Sequence, residues 1–173
     1  MKVRVLKRTQ MVLGSLEDVF QFFSNPRAVE ILTPSSMQFR LLTEDLDSIE
    51  DGVVLDYRFR LYSVPIRWQI RIESVDPPNS FVDVQENGPF AHWKHTQSFI
   101  AAGANATEVR DRFEFALPYG RVGEFAYRSY VKALIRQLFE YRANKMDVLM
   151  HPNPPRKPAK VQVKPASPTK SQQ

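Results

Sequence analysis

The chain reads as an α+β domain in which a curved antiparallel sheet of about seven strands closes over one long C-terminal helix, with two short helices after the first strand. Three observations predict it. Apolar residues alternate with period two from Val53 to Leu117. The period becomes helical from Gly120 onward, and a double helix signal, SLEDVFQFFSNP, directly follows the first alternating run. A sheet of that length must bury one face, and the last helix is the only element long enough to cover it. A cavity of roughly a few hundred Å³ is expected between the two.

The elements follow in order. Residues 2–13 alternate, with Val3, Val5, Thr9 and Met11 predicted on the inner side. Ser15 caps SLEDVFQFF with Asp18 three residues on, a short-acid form of the capping box. Asn25 and Pro26 start a second helical turn through Val29 to Leu32, and Thr33-Pro34 ends it. MQFRLLTE (37–44) reads as a strand. Next, Val53, Leu55, Tyr57, Phe59 and Leu61 alternate with Asp56, Arg58 and Arg60, and Ile66, Trp68, Ile70 and Ile72 alternate with Arg67, Gln69, Arg71 and Glu73. These two runs form a hairpin candidate with its charges toward water. The Phe81 strand, an Asn87-Gly88-Pro89 turn, the Phe90–Ile100 strand, an AAGANA turn and TEVRDRFEFALP complete the sheet. In the final helix the apolar stripe runs Val122, Phe125, Tyr127, Val131, Leu134, Leu138 and Tyr141.

Composition narrows the function classes. The 173 residues suit one domain, which at this size buries roughly two thirds of its unfolded surface. No cysteine is present, which excludes disulfides, thiolate metal sites and a cysteine nucleophile. No apolar run is long enough to span a bilayer and the N-terminus alternates, so a cytoplasmic protein is expected. The formal charge of +5 sits entirely in residues 151–173, where Arg156, Lys157, Lys160, Lys164 and Lys170 occur with no acid. Residues 1–150 are formally neutral. A basic groove for nucleic acid is therefore not expected, and no stable nucleic-acid complex of the folded part is predicted. The boundaries are a domain over 1–149 and a disordered Pro/Lys-rich tail over 150–173, whose lysines can make weak contact with anionic membrane or RNA.

The chemistry gathers in FVDVQENGPFAHWKHTQSF (81–99). A plain sheet fills its covered face with Val, Ile and Leu, because each buried polar group without a partner costs about 1–3 kcal/mol. Here carboxylates, amides, two of the three histidines and a tryptophan share the strands. Alternation puts Trp93, His95, Gln97 and Phe99 on one face and Lys94 on the other, which assigns the Trp93 set to the interior. Asp83, Gln85 and Asp111 are the neighbouring-strand partners, but the alternation leaves open whether Phe81, Asp83 and Gln85 or Val82 and Val84 point inward. The predicted ligand-binding wall is Tyr57, Phe59, Trp68, Gln85, Trp93, His95, Gln97, Phe113, Phe115, Phe125 and Tyr130. As a catalytic set, His95 with Asp83 or Asp111 can serve as an acid/base pair; as a structural set, the same residues fix strand register. Tyr119 and Gly120, where strand gives way to helix, are a hinge candidate. One inward histidine with dispersed carboxylates lacks any metal-ligand spacing, and no Gly-rich phosphate loop precedes a helix, so no metal or cofactor is expected.

The element order, together with Leu32-Thr33-Pro34, Val64-Pro65-Ile66-Arg67-Trp68, the 81–99 segment and DRFEFALPYG, resembles the helix-grip (SRPBCC) superfamily. That superfamily includes START lipid-transfer domains, Bet v 1-like allergens, polyketide cyclase/aromatases and coenzyme Q-binding proteins, and the chain looks like its bacterial cyclase/dehydrase-like branch over residues 1 to about 149. The resemblance implies a hydrophobic ligand (lipid, isoprenoid quinone or polyketide-like) between sheet and helix, carried, chaperoned or sensed. It leaves a polyketide cyclase/dehydratase or a ribosome- or protein-interaction module as alternatives. Where that branch often runs W-x-H-x-H-x-F, this chain has Gln97 in place of the second histidine, which weakens any scheme needing a histidine pair.

Overall fold

The computed structural model describes residues 2–61 and 63–150. Strand β1 (Arg4–Leu13) is followed by helices α1 (Leu16–Ser24) and α2 (Ala28–Ile31), a 3-10 turn at Ser35–Met37 and a short β2 (Arg40–Leu41). Strands β3 (Val54–Leu61), β4 (Val64–Asp76), β5 (Ser80–Asn87), β6 (His92–Ala101) and β7 (Ala106–Ala116) form the meander. A continuous helical run closes the chain: α3 (Gly120–Ala126), a π-helical turn (Tyr127–Val131) and α4 (Lys132–Met150).

All pairings are antiparallel, in the order β1-β7-β6-β5-β4-β3-β2, so the first strand joins the last. Two register shifts in the β4–β5 pair, between Gln69 and Ile70 and between Ile72 and Ser74, are β-bulges. Bulges bend a strand and raise its twist. One face of the sheet carries the core and the other carries ion pairs: Arg67 Nε donates to Asp56 Oδ1 at 3.0 Å, Arg71 meets Glu86 at 2.8 Å and Lys94 meets Glu73 at 3.3 Å. The expected hairpin and its outward charges are thus in place.

Helix α1 starts where its cap predicts, with the Ser15 hydroxyl accepting from the Asp18 N–H at 3.1 Å. It buries Phe20 edge-on to Phe99 at 5.4 Å and to Phe81 at 6.5 Å, closing one end of the sheet. The long helix is fastened to the same face by Gln10 of β1, whose Nε2 donates to Ala143 O at 3.0 Å and to Asp147 Oδ1 at 2.9 Å, and by Phe139 against Phe113 at 4.6 Å.

Three expectations need correction. The strand predicted over 37–44 reduces to Arg40–Leu41, because Ser35–Met37 forms a 3-10 turn whose C-cap Gln38 is left-handed (φ 47°). In β1 the inner face is Leu6, Arg8, Gln10 and Val12, while Val3 and Met11 are exposed. Apolarity misleads there because Arg8 and Gln10 find polar partners inside. On the long helix the buried stripe is Phe139, Ala143 and Met146, with Ile135 packed beside them, one residue later than Leu134 and Leu138. The π turn supplies the reason. It inserts one residue's worth of rotation, about 100°, between the two α-helical segments. The predicted tail lies, apart from Met150, outside the described residues. No helix among them is long and apolar enough to cross a membrane.

Candidate functional site

Register decides the site. Asp83 stands opposite His95, His95 opposite Phe113, and Gln97 opposite Asp111, so three neighbouring strands deliver two carboxylates, an amide and an imidazole to one place. The unresolved face of the Phe81 strand is settled by this pairing: Phe81 and Asp83 are buried inward.

His95 Nδ1 lies 2.8 Å from Asp83 Oδ2 and Nε2 lies 3.1 Å from Asp111 Oδ1. Both ring nitrogens can donate at once only in the imidazolium form. Burial disfavours that charge, but the Asp83 charge and the hydrogen bonds to both carboxylates outweigh it and hold the pKa at about 9. The ring also stacks on Phe113, 4.0 Å between centroids and 3° from parallel, where a cation meets the negative face of the π-system. Asp111 is buried as well, which favours its neutral acid, yet His95, Arg8 and Gln97 together hold its pKa below the ordinary value. Gln97 Nε2 donates to Asp111 at 2.7 Å, and Arg8 stands 3.6 Å from it. The other oxygen of Asp83 accepts from Trp93 Nε1 at 3.1 Å.

Above this network is a cavity of about 90 Å³ between sheet and helix. Its polar wall is Arg8, Asp83, His95, Gln97, Asp111 and Arg142; its aromatic wall is Tyr57, Trp68, Phe81, Trp93, Phe113 and Phe139, with α1 and α2 supplying Phe23, Ala28, Val29 and Leu32. Arg142 comes from α4 and has its pKa lowered to about 10 by burial and by Arg8, against the attraction of Asp111 and Asp83. It remains a cation at neutral pH. Tyr57 donates its hydroxyl to Pro26 O at 3.1 Å, and burial raises its pKa, so it is a neutral phenol. Gly88 lies against this wall from behind: a Cβ there would stand 2.5 Å from Trp68 Cδ1 and from Gln85 Oε1.

Solved structures share this arrangement of strands around a terminal helix. The Zhui aromatase/cyclase from Streptomyces sp. R1128 superposes with a TM-score of 0.65 at 16% identity, covering 84% of this chain and 92% of that one. Norcoclaurine synthase from Thalictrum flavum, in complex with dopamine and hydroxybenzaldehyde, gives 0.60 at 15% identity over 87% and 88%. A START superfamily protein from Mycobacterium smegmatis gives 0.60 at 12% identity over 84% and 99%. The chain has the helix-grip fold of the START and Bet v 1-like superfamily. No family model matches the sequence, and no curated protein sequence matches it.

Within the helix-grip frame the predicted residues separate into two groups. Tyr57, Trp68, Trp93, His95, Gln97 and Phe113 line the cavity together with Asp83 and Asp111. The others lie elsewhere. Phe59 stacks on Phe39 at 5.5 Å in the apolar core. Gln85 holds the β5–β6 turn, its Nε2 donating to Phe90 O at 2.7 Å and its Oε1 accepting from the Phe90 N–H at 3.3 Å. Phe115 packs with Phe90 and Tyr127 in a second apolar cluster. Phe125 is 72% exposed and Tyr130 is 38% exposed, and neither lines the cavity. Phe125 stands 14 residues before Phe139, close to four α-helical turns, and would share its face but for the rotation introduced by the π turn.

Arg8, Arg142, Phe139 and Met146 complete the cavity without having been anticipated. The signal for Arg142 was present but out of phase: it lies three residues after Phe139 and four before Met146, on the stripe that is buried. Tyr119 and Gly120 are both left-handed, with φ 64° and 51°, at the point where strand becomes helix. Among the described residues no group of three or more His, Cys, Asp or Glu side chains is arranged to hold a metal ion.

Proposed function

We propose that the protein binds a hydrophobic small molecule with a polar end in the cavity between sheet and C-terminal helix, as a carrier or sensor. The observation that carries this reading is a buried, fully charged network that opens onto an aromatic-walled cavity. A structural network alone has no need of an adjoining void, since protein interiors close such spaces by packing. Helix-grip neighbours that include an aromatase/cyclase and a synthase in complex with two aromatic molecules support it.

The cavity of about 90 Å³ is smaller than the few hundred Å³ expected. It has room for about three waters, while one benzene occupies an apolar cavity of about 150 Å³. A lipid or quinone therefore enters only if the fold opens. Ala28 of α2 lines both this cavity and an outer groove of about 400 Å³ bounded by Phe22, Asn25, Ile31 and Met150. Displacing α2, a four-residue helix, joins the two spaces.

The enzymatic alternative has less support. With both His95 nitrogens engaged by carboxylates and the ring protonated at neutral pH, His95 is neither a free base nor an acid aimed at a ligand. The interaction-module alternative rests on the basic tail, outside the described residues.

Native mass spectrometry of gently purified protein, followed by denaturing extraction, tests the binding reading. The expected result is a retained apolar mass, or one taken up from added fatty acids, isoprenoid quinones or polycyclic phenols with a change in Trp68 and Trp93 fluorescence. Absence of both would overturn it.

A further inference from the structure

Two buried side-chain donors among the described residues lack any hydrogen-bond partner: Trp68 Nε1 and Arg142 Nε. Both residues line the same cavity, one from the sheet and one from the helix. An indole and a guanidinium can donate but never accept. The carboxylates beside them already receive other donors. Asp83 receives Trp93 and His95, and Asp111 receives His95, Gln97 and Arg8. Among the described residues, the buried side-chain atoms left without a partner are both donors.

Charge points the same way. The cationic groups on the wall are Arg8, Arg142 and the doubly bonded His95; the anionic ones are Asp83 and Asp111. Asp147 attracts Arg8 and accepts from Gln10, but it does not line the cavity. The wall itself carries three cationic groups and two anionic ones, in surroundings where a charge is poorly screened.

We infer that the polar end of the ligand is an anionic oxygen acceptor, a carboxylate or a stabilised enolate or phenolate, received by Trp68 Nε1 and Arg142 Nε. This rests on the binding reading above and adds the chemical class of the ligand. An anionic oxygen accepts from both orphaned donors and meets the Arg142 guanidinium in a charge-assisted bond. An ammonium group would meet the same two donors, neither of which can accept its protons. The volume of about three waters accommodates a carboxylate and the first carbons of its chain.

The test uses the full chain and three probes of equal length: hexanoate, 1-hexanol and hexylamine, titrated at pH 7 by calorimetry and followed through the indole N–H resonances. Hexanoate is expected to bind at least about tenfold more tightly than 1-hexanol, with hexylamine weakest, a contrast of about 1.4 kcal/mol or more. It should move one indole N–H resonance downfield, assigned to Trp68 by its loss in Trp68→Phe. Trp68→Phe and Arg142→Gln should each bring hexanoate down toward the level of 1-hexanol. The wild-type ranking and the indole shift decide the matter even where a variant folds poorly. Equal binding of hexanoate and 1-hexanol would overturn the anionic-acceptor inference and leave the binding reading standing. Binding of none of the three would overturn the inference as well, and the mass-spectrometric test above decides the binding reading separately.

Discussion

The two halves of the concave sheet face make opposite uses of the same alternation. On β3 and β4 the inward residues Leu55, Tyr57, Phe59, Trp68, Ile70 and Ile72 form an apolar wall secured mainly by area, with the Tyr57 hydroxyl donating to Pro26 O. On β5 to β7 the inward residues include Asp83, His95, Gln97 and Asp111, set between Phe81 and Phe99 on one side and Phe113 and Phe115 on the other. At its purely aliphatic positions the first half depends on volume, where apolar swaps of similar size usually cost less than about 1.5 kcal/mol. The second is held by geometry, because each charged member depends on the partner across the strand. The polar groups of the cavity collect where the sheet is specified by pairing, and the apolar half supplies much of the remaining cavity wall.

Removing a member of each half breaks the comparison most sharply. Asp111→Ala leaves His95, Arg8 and Gln97 without their shared acceptor, and breaking a buried ionic network in this way costs about 3–5 kcal/mol. A melting temperature roughly 10 °C lower is expected for a domain of this size. Leu55→Ala in the apolar half costs about 2–5 kcal/mol through lost burial and a residual cavity. The distinguishing measurement is the melting temperature against pH. The Leu55→Ala loss should be flat between pH 5 and 9, and the Asp111→Ala loss should change across that range, because only the latter removes a partner of a titrating group. Parallel, pH-independent losses would show the two halves to be equivalent.

The wild-type pH profile isolates His95. Its folded pKa of about 9 stands above the ordinary value of 6.5, so its contribution to stability is fully present below pH 6.5 and is lost as pH rises through 9. At about 1.4 kcal/mol per pKa unit that contribution is roughly 3 kcal/mol. Asp111 behaves inversely: its pKa lies below the ordinary 3.8, so its contribution is present above that value and is lost as pH falls below it. Urea unfolding of the wild type should therefore weaken between pH 6.5 and 9, and His95→Gln should remove that slope. A slope that survives in His95→Gln would assign the titration to another group.

Much of this was readable before the fold was known. Ser15 and Asp18 marked the start of α1, the Asn87-Gly88-Pro89 turn marked the β5–β6 connection, and Lys94 fixed the inward face of β6 by preferring water. What resisted reading was phase. Val82 and Val84 compete with Phe81 and Asp83 on hydrophobicity, and only the Asp83–His95 pairing across the strands decides between them. Arg8 and Gln10 look like surface residues between Val3 and Met11, and they are inside because Asp111, Ala143 and Asp147 receive them. Local sequence carries the period of an element, but which phase is buried depends on partners far along the chain.

The long helix tests that lesson with the smallest effect. Phe125 and Val122, 72% and 71% exposed, belong to the stripe that periodicity alone would bury, and Phe139 and Met146 belong to the stripe the structure buries. Because apolar residues outside a core contribute little, Phe125→Ser should change stability by less than about 0.5 kcal/mol. Phe139→Ala, on the same helix, should cost about 3–5 kcal/mol, since its ring packs on Phe113 and walls the cavity. Chemical denaturation of the pair measures both. A loss of several kcal/mol at Phe125 would mean that the helix keeps an unbroken α-helical phase, with Phe125 turned inward above Phe139.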